Sequence, residues 1–149
     1  MSGSEDRQLA DVNVLFALLW TRHAHHGASQ AWFAAQGHRG WATNVITQLG
    51  VLRLLTNPNV NRGAVSASTA VAALAEAMGH PNHQFWPLDR PVPSILTGAT
   101  TAVTGSRQWT DLVLLRHAVE RKGILVTFDG GLSALTNKES RTHLLLLRA

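Results

Sequence analysis

The chain contains no cysteine and no tyrosine, and only nine of its 149 residues are acidic. Without cysteine, disulfides and zinc–thiolate sites are excluded. Without tyrosine or cysteine, little titrates between histidine and lysine, so the isoelectric point of about 11.1 overstates a formal net charge of +4. No apolar run reaches the roughly 18 residues that a membrane span requires. The start, Met1-Ser2-Gly3-Ser4-Glu5-Asp6, is polar and acidic, the reverse of an export signal, which is basic and then apolar. The expectation is a cytoplasmic protein with no membrane partner, whose residues 1–6 form a flexible tail.

What is present fits one domain over residues 1–149. An apolar content of 45% fills one core, and the mean hydropathy is near zero. Eleven of the thirteen basic residues are arginine. The guanidinium fork pairs two oxygens at once, which suits phosphates and equally suits acidic protein partners.

No repeat, low-complexity tract or long linker divides the chain. Arg7 to Ala10 reads as a strand ending at Asp11, followed by helices over Val14–Trp20 and Gly27–Gln36. Gly40-Trp41-Ala42 reads as a short buried strand. Thr43 or Asn44 then caps a helix through Ile46, Leu49, Leu52 and Leu55, whose spacing of three reads as one helical face, and Asn57-Pro58 ends it. Ser66 opens an alanine-rich helix that stops at Gly79. His80 and His83 flank Pro81-Asn82 and read as turn residues, before a strand at Gln84–Trp86. A helix is expected near Ser94–Val103, and another over Asp111–Lys122 capped by Thr110. Ile124–Phe128 is the clearest strand, β-branched and apolar on both faces, and His143–Leu147 is the last. Strands alternating with helices indicate an α/β fold with a parallel sheet covered on both faces.

Among the few acids, Asp11 and Asp129 directly follow strands, and ligands of open α/β sheets bind at that carboxyl edge. Asp111 lies in the first turn of a helix that starts at the same edge if it crosses back over the sheet. Each alone reads as a cap. Together they are costly, since two carboxylates about 5 Å apart repel by roughly 3 kcal/mol at an effective dielectric near 20. Mg²⁺ or Mn²⁺, which prefer oxygen ligands, would neutralise the cluster.

Leu9-Ala10-Asp11-Val12-Asn13-Val14-Leu15, His23-Ala24-His25-His26 with Ala31-Trp32-Phe33, Trp41-Ala42-Thr43, and Thr47 to Leu54 with Thr56-Asn57-Pro58 resemble the PIN-domain toxins of the VapC type. So do Thr110-Asp111 and Val126-Thr127-Phe128-Asp129 with Gly131-Leu132. The resemblance runs from about Leu9 to Leu135. It implies a PIN-like three-layer α/β/α sandwich with a central parallel sheet. It also implies Mg²⁺- or Mn²⁺-dependent endonucleolytic cleavage of structured RNA, often tRNA or ribosomal RNA, and neutralisation by a cognate antitoxin. Asp11, Asp111 and Asp129 match family acids that are both catalytic and metal-binding. Asn13 and Thr127 match polar positions that orient them. Gln48 stands where most members carry glutamate; it keeps a carbonyl oxygen but brings no charge, and reads either as a weak ligand or water holder or as a rim residue.

The expected chemistry is attack of a metal-bound water on a backbone phosphate, with Arg22, Arg53 and Arg107 as candidates for flanking phosphates. His23, His25 and His26 lack a dependable chelating spacing and read as a structural loop; Trp20, Trp32 and Trp41 read as packing. A homodimer is expected, with the helix Ala67–Met78 suited to close packing and the antitoxin in a groove between helices. Two alternatives stand beside this. One is a PIN module, weakened at Gln48, that binds RNA or a protein without efficient cleavage. The other is a haloacid-dehalogenase-like phosphatase, which would want an aspartate where Asn13 stands.

Overall fold

The computed structural model describes residues 7–148; the expected tail, residues 1–6, lies outside them. Five short strands, β1 (Gln8–Ala10), β2 (Trp41–Thr43), β3 (His83–Phe85), β4 (Ile124–Thr127) and β5 (Leu144–Leu146), form one sheet in the order β3-β2-β1-β4-β5. All four pairings are parallel. Parallel neighbours need crossovers, and six helices are available for them: α1 (Val12–Leu19), α2 (His26–Ala35), α3 (Val45–Thr56), α4 (Ala67–Met78), α5 (Val92–Ile95) and α6 (Gln108–Glu120).

The two-residue alternation of the strands sorts the core into two halves. Leu9, Ala42 and Leu125 face one way and pack with Trp86, Ile95 and the α6 residues Leu112 and Leu115. Their neighbours Ala10, Trp41 and Val126 face the other way, against Val14 of α1, Trp32 of α2, Val51 of α3 and Leu74 of α4. The result is the three-layer α/β/α sandwich, with α1 to α4 on one face and α5 and α6 on the other.

Two helices depart from the sequence reading. The helix expected near Ser94–Val103 shrinks to the single turn of α5, followed by turns in which Gly98 takes φ +75°. Thr97, Thr100, Thr101, Val103 and Thr104 are β-branched. The Ser94 and Thr97 hydroxyls also donate to the Pro91 and Pro93 carbonyls (2.7 and 3.1 Å), competing with helix propagation. The face expected on α3 also differs. Ile46 and Leu55 lie nine residues apart, about 900° of helix, hence on opposite sides. Thr47, Val51 and Leu55 are the buried set, Ile46 packs into the other half of the core, and Leu49 is 50% exposed.

Asn44, not Thr43, caps α3: its Oδ1 accepts from Thr47 N (2.9 Å), and Thr47 Oγ1 accepts from Asn44 N (3.0 Å). This reciprocal pair fixes where α3 leaves the carboxyl edge. Helix α6 begins at Gln108, so Thr110 lies inside it rather than capping it. Gln108 Oε1 accepts from Thr104 N and Gly105 N (2.7 and 3.1 Å) and pins the preceding turn.

Candidate active site

Asp11 ends β1 and caps α1. Its Oδ1 accepts from Val12 N (2.7 Å) and its Oδ2 from the Thr127 hydroxyl (2.7 Å). It is 5% exposed. Burial pushes its carboxyl above the usual range, against the lowering effect of those two hydrogen bonds, and the charge of Asp129 adds to the rise.

Thr127, fully buried at the end of β4, links three segments. Its Oγ1 donates to Asp11 and accepts from Asp129 N (3.0 Å) and Asn13 Nδ2 (3.1 Å). Asn13 Oδ1 in turn accepts from Phe128 N (3.0 Å). Asn13, in the first turn of α1, is thereby stitched to the backbone that leads into Asp129. Asp129 is exposed; its Oδ1 accepts from Gly131 N (2.8 Å) and caps the 3-10 turn Gly130–Leu135.

Asp111 enters from the first turn of α6 and is half-buried. Its pKa is pushed up to about 6, first by burial and then by the charges of Asp11 and Asp129. Three aspartates from separate stretches of chain thus share one electrostatic neighbourhood. Among the described residues the ion pairs are Arg90–Glu120 and Arg116–Glu139, and neither involves these aspartates. Yet among those residues no three His, Cys, Asp or Glu side chains approach closely enough to form a metal-binding group. Both oxygens of Asp11 and Oδ1 of Asp129 accept from local backbone and hydroxyl donors instead. The donor set, hard carboxylate oxygens with no compensating cation, fits Mg²⁺ or Mn²⁺.

Gln48, on the first turns of α3, donates from Nε2 to Thr43 Oγ1 (2.9 Å), and Thr43 Oγ1 also bonds His83 Nε2 (2.8 Å). Its amide nitrogen is therefore committed to the β2–β3 side, and only its carbonyl oxygen is left over. His83 is a strand residue, not the turn residue read from sequence; pairing opposite Trp41 in β3 is what brings its ring to Thr43.

The three arginines are exposed and dispersed. Arg107 directly precedes α6, four residues before Asp111; Arg22 lies in the turn after α1. Arg53 occupies the last turn of α3, toward the end away from the carboxyl edge. Sequence reasoning missed the support beneath Asp129. His25 stacks on Phe128 (centroids 4.8 Å apart, planes at 25°), and His23 packs edge-on against Phe16. No local signal marks this contact, which exists only because the α1–α2 loop returns to the end of β4. His26 Nδ1 bonds the Ala17 carbonyl (2.7 Å).

Asp11 and Asp129 thus stand at the carboxyl edge of a five-stranded parallel sheet, with Asp111 in the first turn of α6. The PIN domain family matches residues 9–138, and the chain belongs to that family, as a VapC-type member. It is 41% identical over 125 residues to ribonuclease VapC39 of Mycobacterium tuberculosis, covering 84% of this chain and 90% of that one. It is 37% identical over 139 residues to ribonuclease VapC38 of the same organism, covering 93% and 96%. Ribonuclease VapC44 shares 37% over 123 residues, covering 83% and 86%. Among the described residues no helix is long and apolar enough to cross a membrane.

Proposed function

We propose that this chain is the endoribonuclease toxin of a type II toxin–antitoxin pair, cleaving structured RNA such as tRNA or rRNA in the cytoplasm with Mg²⁺ or Mn²⁺. The observation that carries the reading is the placement of Asp11 and Asp129 directly after the neighbouring strands β1 and β4, with Asp111 in the first turn of α6, where Asp11 and Asp129 oppose its ionisation. The VapC ribonucleases it resembles give that cluster its chemical context.

Asp11, Asp111 and Asp129 are the residues that would hold the cation and act in catalysis. Such an ion, when bound, supplies a water of lowered pKa and stabilises charge on a phosphate. The protein's part is positioning. Thr127 and the Val12 amide fix both oxygens of Asp11, while Asn13 and the Gly131 amide fix the approach and orientation of Asp129. Asp111, pushed up to about 6 by burial and by Asp11 and Asp129, is the carboxylate that a neighbouring cation would relieve most. Gln48 offers one neutral oxygen at the rim. Arg107 is the arginine best placed for a flanking phosphate; Arg22 and Arg53 would serve more distant ones.

A homodimer and a cognate antitoxin complete the reading. Support for the antitoxin site is a groove of about 520 Å³ lined by Leu18, Leu19, Phe33, Trp41, Ala73 and Ala77.

The test is digestion of total RNA by wild type and Asp129→Asn with added Mg²⁺ or Mn²⁺ and with chelator, mapping the cut ends. Discrete cuts that need both the metal and Asp129 are expected. Equal cutting by the variant would sink the site assignment. A second reading, an RNA- or protein-binding PIN module with little activity, is favoured by the Gln48 amide's commitment to Thr43. Metal-independent RNA binding without cleavage would establish it.

A further inference from the structure

We propose that Trp109 is a nucleobase platform of the cleavage site: its indole stacks on an RNA base beside the scissile phosphate and sets affinity and base preference. This deepens the ribonuclease reading and rests on it.

Trp109 stands apart from the other tryptophans. Trp32, Trp41 and Trp86 are buried, with the Trp32 and Trp86 indoles donating to Gln8 and Gln84, and Trp20 packs at the edge of the core. Trp109 is 46% exposed. Among the described residues its ring has no aromatic, cationic or hydrogen-bonding partner. A large amphipathic ring left in water gains by taking a flat partner.

Its position says which partner. Trp109 lies in the first turn of α6, two residues before Asp111. Two helical residues separate Cα atoms by about 5 Å and side chains by about 200° around the axis. The indole therefore stands on the outer flank of the helix end, not among the acids. A chain whose phosphate sits at the carboxylates and which runs on across the end of α6 would bring a neighbouring base to it.

The surroundings favour nucleic acid over an apolar protein surface. Residues 91–110 contain no aspartate or glutamate. Thr104, Ser106, Arg107 and Thr110 are all exposed, offering hydroxyl and guanidinium donors to phosphate. Of the other exposed large apolar residues, Val45, Leu49 and Val71 belong to α3 and α4, Val60 to the loop between them, Phe85 to the end of β3 and Val92 to α5, and none is in α6 itself. A protein-docking face presents a contiguous apolar patch. One aromatic ring among basic and hydroxyl groups is instead the pattern of a base-stacking platform.

The test compares Trp109→Ala and Trp109→Phe with wild type. RNA cleavage is measured as KM and kcat. Affinity for a single-stranded RNA oligonucleotide and for its abasic counterpart is measured in an Asp129→Asn background. Trp109→Ala should raise KM and the oligonucleotide Kd by about 5- to 100-fold, with kcat little changed. Trp109→Phe should recover most of the loss, and binding of the abasic strand should be indifferent to both changes. Equal KM and Kd for Trp109→Ala and wild type would overturn the platform alone. A weakened self-association or antitoxin complex with RNA binding intact would assign Trp109 to a protein interface and overturn it as well. Failure of wild type to bind or cut any RNA would remove the ribonuclease reading and the platform together.

Discussion

Asp111 and His117 lie six residues apart on α6, and burial shifts them in opposite directions. The carboxyl of Asp111 is raised from 3.8 to about 6 by burial and by Asp11 and Asp129. A group raised in the fold contributes stability that is fully present below its unfolded value and is lost as pH rises through the folded one. At neutral pH the metal-free protein therefore bears the cost of ionising Asp111. Asp111→Asn should raise the melting temperature in chelator by about 2–4 °C, corresponding to about 1 kcal/mol after solvent screening of a half-exposed group. Mg²⁺ should then stabilise wild type but not the variant, as thermal melts would show; a variant less stable than wild type in chelator would contradict this. His117 is the reverse case. Burial, then Arg121, lowers it from 6.5 to about 4, so its contribution is present above 6.5 and lost as pH falls toward about 4. Removing the opposing Asp111 effect should steepen acid destabilisation across that window, measurable by urea unfolding at successive pH values. The positions of Asp11 and Asp129 were legible in the sequence because each directly follows a strand, and that of Asp111 because it falls in the first turn of a helix. The Thr43–His83 bond and the His25–Phe128 stack were not, since each depends on pairing between distant stretches rather than on any local pattern.

The helices were legible where caps and breakers mark them: Asn44 before α3, Ser66 before α4, and Gly79 after it. They were misread where spacing alone was used, as with Leu49, or where β-branched residues and hydroxyls outweighed apolar content, as after α5. Asn44 does more than a cap requires. Its Nδ2 also meets Nδ1 of buried His117 (3.0 Å), tying the start of α3 to the last turn of α6. Asn44→Ala should cost about 2–3 kcal/mol, the sum of a lost cap and an orphaned buried ring nitrogen, with the loss read from chemical denaturation. The crossing of α1 and α3 is equally exacting. A Cβ placed on Gly50 would come within 2.4 Å of Val12 Cγ2. Gly50→Ala must push α3 away from the residue that follows Asp11, at a cost of about 1–3 kcal/mol. Gly50→Ala combined with Val12→Ala should recover most of that loss, which a simple helix-propensity effect would not allow.

At the scale of the molecule, the site depends on chain that lies beyond the region matched by the PIN family, which ends at residue 138. Strand β5 (Leu144–Leu146) closes the sheet against β4, and Leu147 N donates to the Thr127 carbonyl at 2.7 Å. The residue whose hydroxyl holds Asp11 and the Asp129 amide is thus fixed on its backbone side by the last strand. Removing that strand would strip β4 of one partner and leave its N–H and C=O groups along an open edge. The apolar side chains Leu144 and Leu145, which pack on opposite halves of the core, would go with it. Truncation after Lys138 should therefore yield a protein that aggregates, or that remains soluble only with a broadened melt and no metal-induced stabilisation. A milder change separates the strand's role from bulk loss of core. Leu147→Pro removes the donor to the Thr127 carbonyl, just after β5, while retaining the chain. It should lower stability by about 2–3 kcal/mol and weaken the Mg²⁺-induced rise in melting temperature. If the truncated chain instead melted cooperatively with a full response to Mg²⁺, the carboxyl edge would be self-sufficient without β5, and the fixing of Thr127 from its far side would carry no weight.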